Sequence, residues 1–297
     1  MGAAQTFLLV PAVVAVIILY SIAYSAWRDS RIARVGAILV FFWLLMATVA
    51  PYLPLLDPNK PYAPYLLPGA VKNGVTFLFG TDMRGRDMLS RTIWGSQRVI
   101  VWGMTATAAA YAVGSVLGLV AGYLGGWRDE LISFICNVLL SFPVMVLFIL
   151  ILNYLGQTGF NIIVAVTVSS APAIMRVVRG LALDARNRDY IVAARTRGEN
   201  AAWIMFVEIL PNVRGPLVVD ACLRLGYTTV AITTLTFLGL GLQPPDPDWG
   251  LMIKEASSAA LVWKLGYMLI IPAVAVSSLI LGFNLIADGI REISLKD

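Results

Sequence analysis

From Arg176 to Arg214 a polar, arginine-rich stretch separates two long apolar runs, and it holds Ala193-Ala194, Gly198 and Ile209-Leu210-Pro211 at fixed offsets. The chemistry these residue types offer is recognition, not bond making. The alanines and arginines between Asp189 and Gly198 predict a short helix. Gly198 ends it by permitting a left-handed turn, and Pro211 is placed to begin the next element. Small side chains at Ala193 and Ala194 allow close approach to a groove on a partner, while Arg195 and Arg197 can pair with acidic surface.

Asp220 and Arg224 form the second candidate. They stand four apart within an apolar run, so one helical face carries both and their pairing offsets the cost of placing either alone in a membrane. A structural pair near the inner end and a role on a transport pathway both fit that spacing. Asn284 and Asp288, also four apart, are expected at the cytoplasmic exit. Bond-making chemistry has little support: there is no histidine, the acidic residues are scattered singly, and Cys136 and Cys222 fall inside apolar runs as small packing residues. No metal site, resident cofactor or nucleic-acid partner is expected. No Gly-x-x-x-x-Gly-Lys-Ser/Thr phosphate loop occurs in the chain, so any nucleotide chemistry must come from a partner.

The elements that must position these residues lie in a bilayer. Of 297 residues 59% are hydrophobic and 13% charged, against a charged fraction of about a quarter in soluble domains. Seven apolar stretches approach the roughly 20 residues that one helical crossing needs. They run from Thr6 to Tyr24, Val35 to Leu53, Val99 to Leu124, Leu131 to Leu155, Phe160 to Met175, Pro216 to Leu240 and Leu265 to Ala287. Arg28, Arg31, Arg34, Arg128, the 176–214 arginines, Arg291 and Lys296 all fall on one side. The positive-inside rule makes that side cytoplasmic, with the N-terminus outside and the C-terminus inside.

Two polar stretches then face outward. Pro54, Pro58, Pro61, Pro64 and Pro68 keep the first extended, and the amphipathic residues after Asp82 are expected along the outer interface. The second holds Pro244-Pro245-Asp246-Pro247-Asp248-Trp249-Gly250, a rigid turn with its tryptophan at headgroup depth. Together they predict an external collar. Gly114, Gly118 and Gly122, at fourfold spacing, predict a helix packed closely inside the bundle.

The cytoplasmic pattern resembles the signature loop of permease subunits of ATP-binding cassette importers: Glu-Ala-Ala, three residues, Gly, nine residues, Ile, one residue, Leu-Pro. Ala193, Ala194, Gly198, Leu210 and Pro211 hold the expected positions, with Ile209 set one residue closer to the Leu-Pro pair. Val192 stands where the family has glutamate, which removes one charge from the docking surface. Phe79-Gly80-Thr81-Asp82 with Gly85-Arg86-Asp87 and Ser90-Arg91, Gly122-Tyr123 before Gly125-Gly126-Trp127, Ser141-Phe142-Pro143, Phe237-Leu238-Gly239-Leu240-Gly241, Asp248-Trp249-Gly250-Leu251-Met252, and Phe283-Asn284-Leu285 with Asp288-Gly289-Ile290-Arg291 are similar to the second permease of dipeptide, oligopeptide and nickel importers. The likeness covers about Val35 to Asp297.

The resemblance implies an all-α integral membrane protein, the transmembrane domain of a type I importer, with six core helices and one extra N-terminal helix. Residues 1–27 would form that extra helix, 28–97 the first core helix and external segment, and 98–297 the permease domain with its coupling loop at 176–214. It implies a second homologous permease, two ATPases that bind ATP and magnesium, an external substrate-binding protein and surrounding lipid as partners. Tyr190, Val192, Ala193, Ala194, Arg195, Arg197, Gly198, Leu210 and Pro211 would make the ATPase coupling surface. Gly80, Thr81, Asp82, Gly85, Arg86, Asp87 and Trp249 would make the external motif. Peptides are the expected cargo, with oligosaccharides or nickel complexes as alternatives. An ion-driven secondary transporter would instead show internal repeats and ionisable residues at the midplane, and a membrane enzyme convergent catalytic side chains; neither pattern is found.

Overall fold

The computed structural model describes residues 30–241, 245–257 and 263–294. The first expected span, Thr6 to Tyr24, lies outside them. Helix α1, Arg31–Val49, is capped by Ser30, whose hydroxyl accepts the Ala33 N–H. The segment after α1 forms a short hairpin, β1 (Ala70–Lys72) paired antiparallel with β2 (Val75–Phe77). Asn73 and Gly74, both at positive φ, make its two-residue turn. Helix α2, Met88–Leu119, runs on through a wide turn, Val120–Leu124, for 37 residues in all.

Helices α3 (Gly126–Ser141) and α4 (Val144–Leu155) follow, then α5 (Gly159–Ala185) and the short α6 (Asp189–Thr196). Helix α7, Ala201–Asn212, contains a second wide turn at Ile204–Ile209. Helices α8 (Arg214–Leu238), α9 (Trp249–Ala256) and α10 (Tyr267–Ser294) complete the fold.

Close approaches of glycine fix how the long helices run. A Cβ on Gly114 would lie 2.7 Å from the Ile174 Cβ, one on Gly118 2.6 Å from the Val178 Cβ, and one on Gly122 2.7 Å from the Arg179 carbonyl oxygen. Positions rise together on both helices, so α2 and α5 are parallel and joined along the predicted small-residue seam. Parallel neighbours must be linked by a return crossing, and α3 with α4 supplies it. Helix α1 is antiparallel to α10, because Gly289 meets Ala33 and Gly282 meets Val40. Five helices are long and apolar enough to span a bilayer, and the bent pair makes a sixth crossing among the described residues.

Three expectations are corrected. The stretch from Leu131 to Leu155 is not one helix: α3 and α4 meet at 93°. Pro143 has no N–H for the helical ladder and forces Phe142 into extended backbone, at φ −81° and ψ 138°. The residues after Asp82 are not an amphipathic surface stretch: a tight loop leads to Asp87, which caps α2, and Ser90, Arg91 and Thr92 in its first turns are buried. The span from Phe160 continues to Ala185, so Arg176 and Arg179 are helical and the segment up to Arg214 is mostly helix. Arg179 is neutralised by Asp129 at 2.5 and 2.7 Å, and Arg176 donates to Asn137 at 2.8 Å.

A candidate docking helix and a buried external clasp

At the arginine-rich end, α6 has two different faces. Ile191 and Ala194 are fully buried against Ile204, Ile209, Val178 and Ala185, which fixes the helix to the ends of α5 and α7. Val192, 52% exposed, lies with Asp189, Ala193, Thr196 and Arg197 around an open depression of about 420 Å³. Ala193 is thus on the outer face as expected. Ala194 is not: it packs inward, where only a small side chain lets α6 sit flat on the bundle. Tyr190 is partly buried against the same core.

The helix ends as its sequence predicts. Gly198 has φ +81° and donates to the Arg195 carbonyl at 2.9 Å, while the Glu199 N–H reaches the Ala194 carbonyl at 3.2 Å. Those paired bonds satisfy the last carbonyls of α6 and need a left-handed residue between them. Two arginines then reach out from α6. Arg197 donates to Glu208 at 2.8 Å, and the Arg195 guanidinium lies 5.1 Å from the centre of the Tyr123 ring. Leu210 and Pro211 do not begin a new element. They belong to the end of α7, after its wide turn.

At the opposite end, the Gly80-to-Asp87 motif closes a buried clasp. Thr81 donates its hydroxyl to the Ala63 carbonyl at 2.6 Å and accepts the Leu66 N–H at 2.9 Å. Asp82 accepts the N–H groups of Arg84 and Arg86, at 2.8 and 2.9 Å, and the Arg86 Nε at 2.6 Å. Gly85, at φ +80°, leaves no room for a Cβ, which would come within 2.9 Å of the Ala63 backbone. In turn, the Gly80 carbonyl accepts the Met88 N–H at 3.0 Å, so the loop is tied to the start of α2.

Arg86 continues to Glu255 on α9 at 2.5 Å. Arg91, 0% exposed, stands between the two carboxylates, 3.7 Å from Asp82 and 3.9 Å from Glu255, and donates to the Pro58 carbonyl at 3.1 Å. Arg84, largely exposed, also reaches Glu255 at 3.5 Å, so two carboxylates hold two buried arginines and one at the surface. Arg91 belongs to the Ser90-Arg91 part of the family resemblance, whereas Glu255 belongs to none of its motifs. Glu255 lies 169 residues from Arg86, so no local pattern marks it.

Trp249 is corrected too: it is 0% exposed, donates Nε1 to the Thr92 carbonyl at 2.8 Å and stacks edge-on against Trp43. It pins α9 to α1 and α2 and does not face headgroups. Asp248 caps α9 through the N–H groups of Gly250 and Leu251. Burial pushes its carboxyl above the usual range while those N–H groups pull the other way.

Within the bundle, Arg224 Nε donates to Asp220 at 2.6 Å, and the Tyr111 hydroxyl from α2 also meets that carboxylate. The pair is real, and Tyr111 is the partner that spacing along one helix does not reveal. Its side chains remain 18% and 23% exposed, beside Tyr227 at 68%. Among the described residues no three His, Cys, Asp or Glu side chains gather as a metal-binding group.

Comparison with known proteins follows these features. Residues 114–296 match the family described as binding-protein-dependent transport system inner membrane component. The chain is 33% identical over 269 residues to the dipeptide transport system permease protein DppC of Haemophilus influenzae, covering 90% of each chain. It is 34% identical over 277 residues to the protein of that name from Alkalihalophilus pseudofirmus, covering 91% of this chain and 90% of the relative. It is 38% identical over 213 residues to the glutathione transport system permease protein GsiD of Pectobacterium atrosepticum, covering 72% and 70%.

Proposed function

Because the chain belongs to the family of binding-protein-dependent transport system inner membrane components, we propose that it is the permease through which an ATP-driven importer passes short peptides. The chain is a multi-pass membrane protein. The relatives named for dipeptide and glutathione transport support a peptide cargo. One observation carries the mechanism: α6 is anchored by Ile191 and Ala194 while Val192, Ala193, Thr196 and Arg197 remain exposed. A partner held on that outer face would push α6 as a rigid body, and the load would pass to α2, α5 and α7.

In this reading the arginine-rich end is cytoplasmic, by the positive-inside rule, and the clasp faces outward toward the binding protein. Two ATPases bind ATP and magnesium, one beneath this chain and one beneath a second permease. Closure of the ATPase pair moves the bundle between two states of different cargo affinity, which is what a ligand-biased two-state element requires. The Tyr111, Asp220 and Arg224 group lines the path between the permeases, where water or cargo solvates its exposed atoms. This chain makes and breaks no covalent bond in that cycle.

The test is purification in mild detergent, followed by identification of the proteins that travel with the chain. A second permease and two ATPases are expected, with ATP hydrolysis stimulated by the binding protein and dialanine. Uptake of dialanine into liposomes by this chain alone would overturn the reading.

A further inference from the structure

The motif Gly122-Tyr123-x-Gly125-Gly126-Trp127 has no part in the docking face, yet it sits beside it. Tyr123 lies in the wide turn Val120–Leu124 that ends α2. Arg195 of α6 covers its ring at 5.1 Å and donates Nε to its hydroxyl at 3.2 Å, across 72 residues of sequence. The second arginine strut, Arg197 to Glu208, lands in the other wide turn, Ile204–Ile209 of α7. Each strut therefore joins α6 to a place where the ordinary helical ladder is already relaxed, a feature that recurs at functional positions in helices.

Immediately before Tyr123, Gly122 lies against Arg179 and Ala182 of α5 with no space for a side chain. The Tyr123 ring thus sits at the end of the tightly packed α2–α5 seam.

We propose that Tyr123 is a positioning residue for transport: Arg195 grips its ring, and the grip passes displacement of α6 into α2. This rests on the reading of α6 as the helix that ATPases move. A stacked guanidinium resists both lifting and sliding of α6 over the ring, whereas the apolar contacts of Ile191 and Ala194 mainly resist lifting. The strut adds a second attachment on the α2 side of a helix otherwise seated on α5 and α7.

The test uses the complete importer reconstituted with its ATPases and binding protein, and compares Tyr123→Leu with Tyr123→Phe. Tyr123→Leu is expected to keep its ATPases on purification and its basal ATP hydrolysis. It should lose roughly tenfold in dialanine import and in stimulation of hydrolysis by the binding protein. Tyr123→Phe, which keeps the ring, should stay near the parent. Unchanged import in Tyr123→Leu would overturn the proposal, as would joint loss of import, basal hydrolysis and ATPase retention, since that would mark a residue needed only for folding or docking. A parent complex without ATPases would instead refute the reading of α6, and one that hydrolyses ATP but ignores dialanine would refute only the cargo.

Discussion

Arg91 carries the largest single-residue consequence. Its guanidinium is wholly enclosed and balances Asp82 and Glu255 together with Arg86. Removing one member of a buried charge group leaves the remainder uncompensated, at a cost of about 3–5 kcal/mol. Arg91→Met should therefore lower the unfolding temperature in detergent markedly. Pairing it with Asp82→Asn should restore part of the loss, and strict additivity of the two changes would show that the residues do not interact. Gly198 is a different kind of position. Nothing lies within 4 Å of an added Cβ, so a substitution meets only the penalty of its φ of +81°. That penalty is about 1–2 kcal/mol for an ordinary L-residue. Gly198→Val should loosen the end of α6 and reduce binding-protein-stimulated ATP hydrolysis without lowering membrane insertion. Gly198→Asn, which tolerates the left-handed region, should retain most of it; equal loss in both would mean that backbone conformation is not the cause.

At the scale of elements, the α2–α5 seam offers the sharpest test, because its parallel packing leaves no slack. A Cβ on Gly118 would sit 2.6 Å from the Val178 Cβ and 2.8 Å from the Met175 carbonyl oxygen. Overpacking of this kind costs about 1–3 kcal/mol even when neighbours yield. Gly118→Val should thus reduce the amount of folded protein recovered from the membrane, and Gly180→Ala, where nothing lies within 4 Å, should not. Recovery equal to the parent for Gly118→Val would contradict the seam. This seam was legible in the sequence, since small residues at fourfold spacing have one dominant structural use. The helix end at Gly198 and the approximate extents of the first and eighth helices, α1 and α8, were legible for similar local reasons. The bend at Pro143 was not read from the unbroken apolar run, although the proline itself carries the signal. Where α5 ends was hidden for another reason. Arg176 and Arg179 look like loop residues, but Asn137 and Asp129, 39 and 50 residues upstream, meet them on the helix. Glu255 of the clasp escaped notice in the same way, because its meaning arises only when the chain is folded.

For the whole molecule, the face of α8 that carries Asp220 and Arg224 shows where lipid does not belong. Both side chains are partly exposed within an otherwise apolar span. A charged side chain at the centre of a bilayer costs roughly 2.5–3.5 kcal/mol by insertion scales, so a face with two of them is turned to water or to protein. Tyr227, 68% exposed and one turn further along α8, samples that same environment. Ile270 and Val274, one turn apart on α10, are also exposed, both at 59%, as apolar side chains of the sort that lipid covers. Cysteine placed at 227 in the assembled importer should react with a charged, membrane-impermeant thiol reagent, because such reagents need water and a thiolate. Its reactivity should differ between the nucleotide-free and ATP-bound complexes if the path opens alternately to each side. Cysteine at 270 or 274 should stay unreactive throughout, and the native Cys136 and Cys222 are buried, so they contribute little background. Protection of position 227 in both nucleotide states, with the complex still importing, would place this face against another protein surface. The ion pair would then be a structural joint between the permeases and no part of the path.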